Sequence, residues 1–260
     1  MANRIIQVAE DFWNIRGSFK VGGVLDVGTQ LSLVRRANGR YVFLDSYTLD
    51  GEIKREVDAL TRGGKDVEAI LNLHPFHTVH VKSMHSLYPD AALYGTARHL
   101  SLFPKLPWTG MLTEESALHE LFAEDFDFSV PRGVDFISTN EHVHFSSVLA
   151  LHRASGTIHS DDTLNYVRLP FPLSLLGMHD SVSFHPTLAK ALERRAGAAQ
   201  EFRSWAQALI SRWEGAGNLC AAHTAALLER ENRGDPLHLR LQKALDRVAG
   251  ALRSHEQKFG

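Results

Sequence analysis

Cysteine is almost missing from this chain: Cys220 is the only one in 260 residues. A lone thiol excludes an intrachain disulfide and any thiolate-rich zinc cage, so a bound metal would have to be held by His, Asp or Glu. Long apolar runs are missing too. No stretch could span a bilayer, and residues 1–10 lack the apolar centre of a signal peptide. A cytoplasmic location without a membrane partner is the expectation. Charge of one sign is scarce: 28 Lys and Arg stand against 30 Asp and Glu, a net charge of −2, with no long block of either sign. No nucleic-acid partner is therefore expected. Solenoid repeats and low-complexity segments are absent as well.

What is present is an ordinary globular composition, 44% hydrophobic and 22% charged. The length suits one large core. The expected organisation is a single domain over residues 1–260, with a C-terminal helix over 236–255 packed as an extension. Oligomeric state is not encoded in any visible pattern.

Histidine is the abundant exception, with 15 residues. The segment Leu73-His74-Pro75-Phe76-His77-Thr78-Val79-His80 concentrates three of them directly after the apolar run Val67 to Leu73. Neutral imidazole is the commonest metal ligand, and a strand end holds such ligands on a rigid element. Pro75 supports the boundary, because it disfavours helical geometry at His74 and cannot donate to a ladder.

The flanking pattern alternates strands and helices. Phe19 to Val27, Leu31 to Arg36 and Tyr41 to Leu44 read as strands, and Asn38-Gly39 suits a type I′ hairpin turn. Asp50 is placed to cap a helix carrying Ile53, Val57 and Leu60, ended by Gly63-Gly64. A helix over His80 to Leu87 and a strand over Ala91 to Tyr94 come next. Thr113 with Glu114 and Glu115 looks like a helix start. Val134 to Ile137 reads as a strand, and His144 to His152 with Gly156 to Ser160 as a hairpin. Pro186 to Arg195 and Ala199 to Trp213 carry helical spacing. Leu219 to Ala222 is a short apolar run, and the last helix repeats Leu237, Leu241, Leu245, Val248 and Leu252. Two rounds of this alternation predict a layered α/β domain.

Polar candidates recur where apolar strands end: His74 and His77, then His142 or His144, then Asp162, then His223. Each has a plainer explanation. His142 and His144 could be solvated, Asp161 and Asp162 could close a hairpin, and His223 could cap a helix beginning near Thr224. Other chemistries are poorly served. Cys220 lies in an apolar strand, where a thiol is ordinarily inert. Gly63-Gly64-Lys65 lacks the spacing of a phosphate loop, and no Gly-x-Ser-x-Gly elbow occurs. The segment His99 to Trp108 reads as a loop that either overhangs a site or simply packs.

Taken in order, these segments resemble the metallo-β-lactamase superfamily. The likeness runs through Tyr41-Val42-Phe43-Leu44-Asp45-Ser46, Ala69-Ile70-Leu71-Asn72-Leu73-His74 and Leu87-Tyr88-Pro89-Asp90-Ala91. It continues through Ser146-Ser147-Val148-Leu149-Ala150-Leu151, Ser155-Gly156-Thr157-Ile158, Asp162-Thr163-Leu164 and Ala221-Ala222-His223-Thr224. It covers roughly residues 5 to 230 as a series of segments rather than one decisive string. The usual His-x-His-x-Asp-His motif is altered, its aspartate missing, and a Gly-His motif is replaced by His142-Val143-His144. The nearest likeness is to a divergent branch with an altered metal motif.

The resemblance implies an αββα sandwich with the strand-end loops along one edge. It implies one or two divalent ions, zinc or iron with manganese as a third candidate. The implied ligands come from His74, His77, His80, His142, His144, Asp162 and His223, with Asp162 also catalytic. A metal-dependent hydrolase using a metal-activated water and a small-molecule substrate follows. A degenerate, non-catalytic binding or regulatory protein of the same fold is the alternative, and an iron redox or oxygen-binding protein is another.

Overall fold

The computed structural model describes residues 4–17, 20–21, 25–26, 28–168, 180–222, 225–232 and 234–260. The chain divides into two compact units, residues 1–128 with 152–155, and residues 129–151 with 156–260. Among the described residues no helix is long and apolar enough to cross a membrane.

The first unit is built on a seven-stranded sheet of order β1-β2-β5-β6-β7-β8-β9. Its strands are β1 (Arg4–Ala9), β2 (Phe12–Gly17), β5 (Thr29–Arg35), β6 (Tyr41–Leu44), β7 (Val67–Leu71), β8 (Ala92–Gly95) and β9 (Trp108–Leu112). Pairing is antiparallel from β1 to β6 and parallel from β6 to β9. Parallel neighbours need crossovers. Helices α1 (Gly51–Leu60), α2 (Val81–Leu87) and α3 (Ala97–Leu102) supply them, and α4 (Ser116–Leu121) follows β9. Ile53 and Val57 of α1 pack with Phe43, Ile70 and Leu93 of the sheet in one buried cluster. Arg36 is buried but paired: its Nε donates to Asp125 Oδ2 at 2.7 Å and a terminal nitrogen to Glu68 at 2.6 Å. The same guanidinium lies 4.9 Å over the Phe122 ring. A buried cation needs such pairing to offset its desolvation.

Several expectations are met and several are not. Of the strand expected over Phe19–Val27, only the short pair β3 (Lys20–Val21) and β4 (Leu25–Asp26) is described, and residues 19, 22–24 and 27 lie outside the described residues. Strands β1 and β2 carry no strong alternation, and the sequence reading did not single them out. The hairpin between β5 and β6 takes another turn than the one expected, with Gly39 at φ 80 and Asn38 not at positive φ. Arg36 N–H donates to Arg40 O and Gly39 N–H to Arg36 O, the pattern of a type I turn with a glycine bulge. Asn38 is drawn off by its side chain, which accepts from Arg40 N at 2.8 Å. Helix α4 starts at Ser116, and Thr113 is no cap; its hydroxyl donates to Asn72 O at 3.0 Å. The expected loop from His99 to Trp108 begins inside α3 and ends in β9.

The second unit carries β11 (Leu149–His152, its last residue in the first unit), β12 (Thr157–Val167), β13 (Ser181–Phe184), β14 (Asn218–Ala222) and β15 (Ala226–Leu227). The order is β11-β12-β14-β15, with β13 on β12. Strand β12 runs parallel to β14 and antiparallel to β13. Three helices pack here: α5 (Leu188–Ala191), α6 (Ala198–Arg212) and α7 (Leu237–Phe259). Buried Phe202, Trp205 and Leu209 of α6 and Leu241, Leu245 and Leu252 of α7 repeat at helical spacing, and they join Ile158, Leu164 and Leu219 of the sheet in one cluster. The helix expected over Pro186–Arg195 shrinks to α5, because Leu192 is extended and bridges Val134. That single bridge replaces the strand expected over Val134–Ile137. Strand β10 (Phe126–Ser129), in contrast, went unread, since Phe126-Asp127-Phe128 is too short a run to separate from a loop.

Two predictions follow from this packing. Gly133 sits at φ +71, and an added Cβ would lie 2.0 Å from the Ala198 carbonyl oxygen. Gly133→Ala should lower unfolding free energy by more than about 1 kcal/mol in urea titrations, whereas Gly39→Ala, whose Cβ would meet nothing within 4 Å, should lose only the turn preference. His152 is buried against Phe12 and Phe126, and this burial lowers its pKa against the opposing pull of Asp125 and Asp11. Its folded pKa is thus below the unfolded ~6.5, and the fold prefers the neutral ring. That contribution is complete above pH ~6.5 and is lost as pH falls towards the folded value. The urea midpoint should drop over that range, and His152→Asn should reduce the slope by up to about one proton.

Candidate metal centre

The first unit fastens the segment after β7 from several directions. Asp45 follows β6 at φ 65, a left-handed conformation that aspartate tolerates better than most residues. Its Oδ1 accepts the amides of Leu73 at 2.7 Å and His74 at 3.3 Å. Asn72 donates from both backbone and side chain to Tyr94 O, at 3.1 and 2.9 Å. The Asn72 side-chain oxygen accepts from Ser46 Oγ at 2.7 Å. With Thr113 on its carbonyl, Asn72 is tied to the ends of β6, β8 and β9 at once.

This clamp delivers His74 and His77. His74 is fully buried and His77 partly exposed, and their rings stack with centroids 4.0 Å apart and planes 27° apart. Each offers a ligand atom within 4.8 Å of the other's. The turn between them is closed by His77 N–H donating to His74 O at 3.1 Å. Phe76 N–H donates to His74 Nδ1 at 3.1 Å, which puts the proton of the neutral ring on Nε2. To bind a metal through either nitrogen, a neutral His74 must therefore release that amide, because freeing Nε2 moves the ring proton onto Nδ1. His80 precedes α2. It shares a hydrogen bond with Thr48 Oγ1 through Nδ1 at 2.9 Å, while its buried Nε2 has no hydrogen-bond partner among the described residues. Burial, and then the neighbouring His77, lower its pKa. His99, fully buried in α3, is pushed down to about 4, chiefly by burial.

The second unit, taken by itself, carries a buried polar run, His159, Ser160, Asp161, Asp162 and Thr163. Here the β12–β14 ladder jumps: Ser160 pairs with Ala221 but Asn165 with Ala222, so four residues of β12 oppose a single step of β14. Such a bulge re-aims side chains that a regular strand would lock into alternation. Thr163 Oγ1 accepts from Ser147 N and donates to Phe145 O, both at 2.9 Å, fastening the bulge to residues 145–147. His159 and Asp161 offer ligand atoms within 4.8 Å of one another. The sequence reading did not single out His159, although His-x-Asp spacing puts both residues on one face of a strand.

The remaining expected ligands are placed as follows. His142 is exposed in a turn where its amide donates to Asn140 Oδ1 at 3.0 Å. His144, partly exposed, donates from Nε2 to Glu141 O at 2.5 Å. His223 lies outside the described residues. Cys220 is buried in β14, as expected of a core thiol.

No protein-family model and no curated protein matches this sequence. Solved structures do. The DIM-1 metallo-β-lactamase exposed to ceftazidime is 14% identical with a TM-score of 0.62, over 95% of this chain and 98% of that one. The metallo-β-lactamase from Erythrobacter litoralis with β-mercaptoethanol in its active site is 14% identical with a TM-score of 0.60, over 97% and 96%. The mono-zinc form of FIM-1 from Pseudomonas aeruginosa is 9% identical with a TM-score of 0.57, over 95% and 96%. The chain has the α/β metallo-β-lactamase fold, as its ordered segments led one to expect.

The Asp45 clamp is open to test. Asp45→Asn keeps both the left-handed preference and an acceptor, whereas Asp45→Ala keeps neither. Asp45→Ala should be the less stable of the two by about 2 kcal/mol in urea titrations, and equal stabilities would show that the clamp contributes nothing.

Proposed function

We propose that this chain is a metal-dependent hydrolase of a small-molecule substrate, with ligands drawn from His74, His77, His144, Asp162 and His223. His80 and His142 are held in reserve. The observation that carries the reading is the His74–His77 pair, two imidazoles with ligand atoms within 4.8 Å, held at a clamped strand end. The donor chemistry fits: imidazole and carboxylate suit zinc, iron or manganese, and zinc or iron is preferred here for the share of imidazole. A zinc ion is named in a structure of the same fold, FIM-1 in its mono-zinc form. A divalent ion with an open position, when bound, acidifies water towards a pKa of ~7 and polarises a substrate oxygen. Asp162 would orient the attacking water and take its proton on a carboxylate oxygen, and the His74–His77 pair would hold its position through the turn that joins them.

A second reading is a binding or regulatory protein on the same fold. It is favoured by Thr78 and Val79, which stand where the family motif carries its aspartate, and by the Phe76 amide on His74 Nδ1.

Elemental analysis of protein purified without added metal separates the two. About one or two equivalents of zinc, iron or manganese are expected, most of it lost in His77→Ala and in Asp162→Asn. Protein that arrives empty and takes up none of the three on titration belongs to the second reading. Iron retained only under anaerobic purification would redirect the assignment to redox or oxygen chemistry.

A further inference from the structure

His99 lies 22 residues from His77 and carries no motif, yet it bonds to the peptide of that proposed ligand. Its Nδ1 accepts the backbone amide of Thr96 at 3.2 Å and lies 2.9 Å from Thr96 Oγ1. A backbone N–H can only donate, so Nδ1 is the acceptor and the ring proton sits on Nε2. Nε2 is 3.3 Å from the carbonyl oxygen of His77, an acceptor only, so this bond runs from His99 to His77.

The ring has little freedom to leave. Gly95 has no side chain where a Cβ would approach His99 Cβ to 2.8 Å and the Trp108 ring to 2.7 Å. The indole of Trp108 stands 6.1 Å away, centroid to centroid. Thr96 and His99 together form the capping box of α3, with histidine in the role that glutamate or glutamine usually takes. Glutamate there would satisfy the cap equally well but could not donate onward to a carbonyl. The imidazole carries an acceptor and a donor on opposite sides of one rigid ring, and both are used.

The His77 backbone is consequently held on both sides of its Cα, its N–H on His74 O and its C=O on His99 Nε2. We propose that His99 is a positioning residue for the metal centre, a strut that transmits the rigidity of the α3 cap to the backbone of His77. The inference rests on the reading of His77 as a ligand. A ligand already held in place loses less conformational freedom on coordination, so removing the strut weakens binding without removing any donor atom.

Zinc affinity by competition with a chromophoric chelator tests this on the full chain, together with amide hydrogen exchange on the metal-free protein. His99→Leu fills the space but makes neither bond. His99→Gln offers an amide oxygen to Thr96 and an amide N–H to His77. Thr96→Val loses the hydroxyl and leaves the strut. Zinc binding should weaken about tenfold or more in His99→Leu, recover most of that in His99→Gln, and stay within about twofold in Thr96→Val. The His77 amide should lose exchange protection in His99→Leu while the amides of β7 keep theirs.

Wild-type affinity and protection in a folded His99→Leu would overturn the strut. So would equal weakening in all three variants, which a general loss of the cap produces. Should His99→Leu not fold, His99→Gln against His99→Glu decides: both can accept from Thr96, but only Gln can donate to the His77 carbonyl, so only a strut makes Gln the better binder. If the wild-type chain takes up no zinc, iron or manganese, the metal reading falls on its own, and the exchange data still decide whether His99 holds His77.

Discussion

The interaction on which the end of β7 depends is a carboxylate meeting two backbone amides. When β7 ends, the amides of Leu73 and His74 leave the ladder inside a buried environment, where an unpaired donor costs about 1–3 kcal/mol. Asp45, turned back into the left-handed region at the end of the neighbouring parallel strand, accepts both. Charge-assisted bonds of this kind are the strong ones. Everything that follows, the burial of His74, the stack with His77 and the turn closed by Phe76 and His77, starts from a chain direction that this acceptor sets.

A second constraint is shared by both units: buried polar groups have to be placed within apolar packing without being left unsatisfied. The first unit does so with a collar, in which Ser46, Asn72, Tyr94 and Thr113 use each other's donors and acceptors in full view of a buried sheet end. The second does so with a bulge. Four residues of β12 against one step of β14 free Asp161 and Asp162 from strict alternation, and Thr163 returns the displaced backbone to residues 145–147. Both are local departures from regular pairing on otherwise regular sheets, which is where functional groups are expected to collect.

How much of this was readable depended on the length scale of each signal. The helices α1, α6 and α7 show a sustained 3.6 period, and β6, β7 and β14 are predominantly apolar runs between turn signals, so they were legible. Val134–Ile137 and Pro186–Arg195 look as regular over a few residues, yet Leu192 bridges Val134 and ends both elements. Thr113 has the local form of a helix cap, but Asn72, distant in sequence, claims its hydroxyl. Among the candidate ligands, His74 and His77 were visible as a cluster after a strand, and Asp162 through its position in an ordered series. His159 was not, and neither was His99, which holds the His77 backbone rather than offering a ligand atom. The first is a lone histidine in a strand until the bulge is known, and the second is one of many histidines until its two nitrogens can be followed to Thr96 and His77.

The amino-acid order alone determined the alternation of elements, the exclusion of an intrachain disulfide and of a thiolate-rich metal cage, and the presence of imidazoles at a strand end. Those depend on composition and on short-range periodicity, which any reader of the chain can count. Only the tertiary structure decided which tautomer His74 and His99 hold, which carbonyl His99 reaches, and where β12 breaks register. Hydrogen bonds between residues tens of positions apart are set by the packing of whole elements, and no local pattern of residues specifies them.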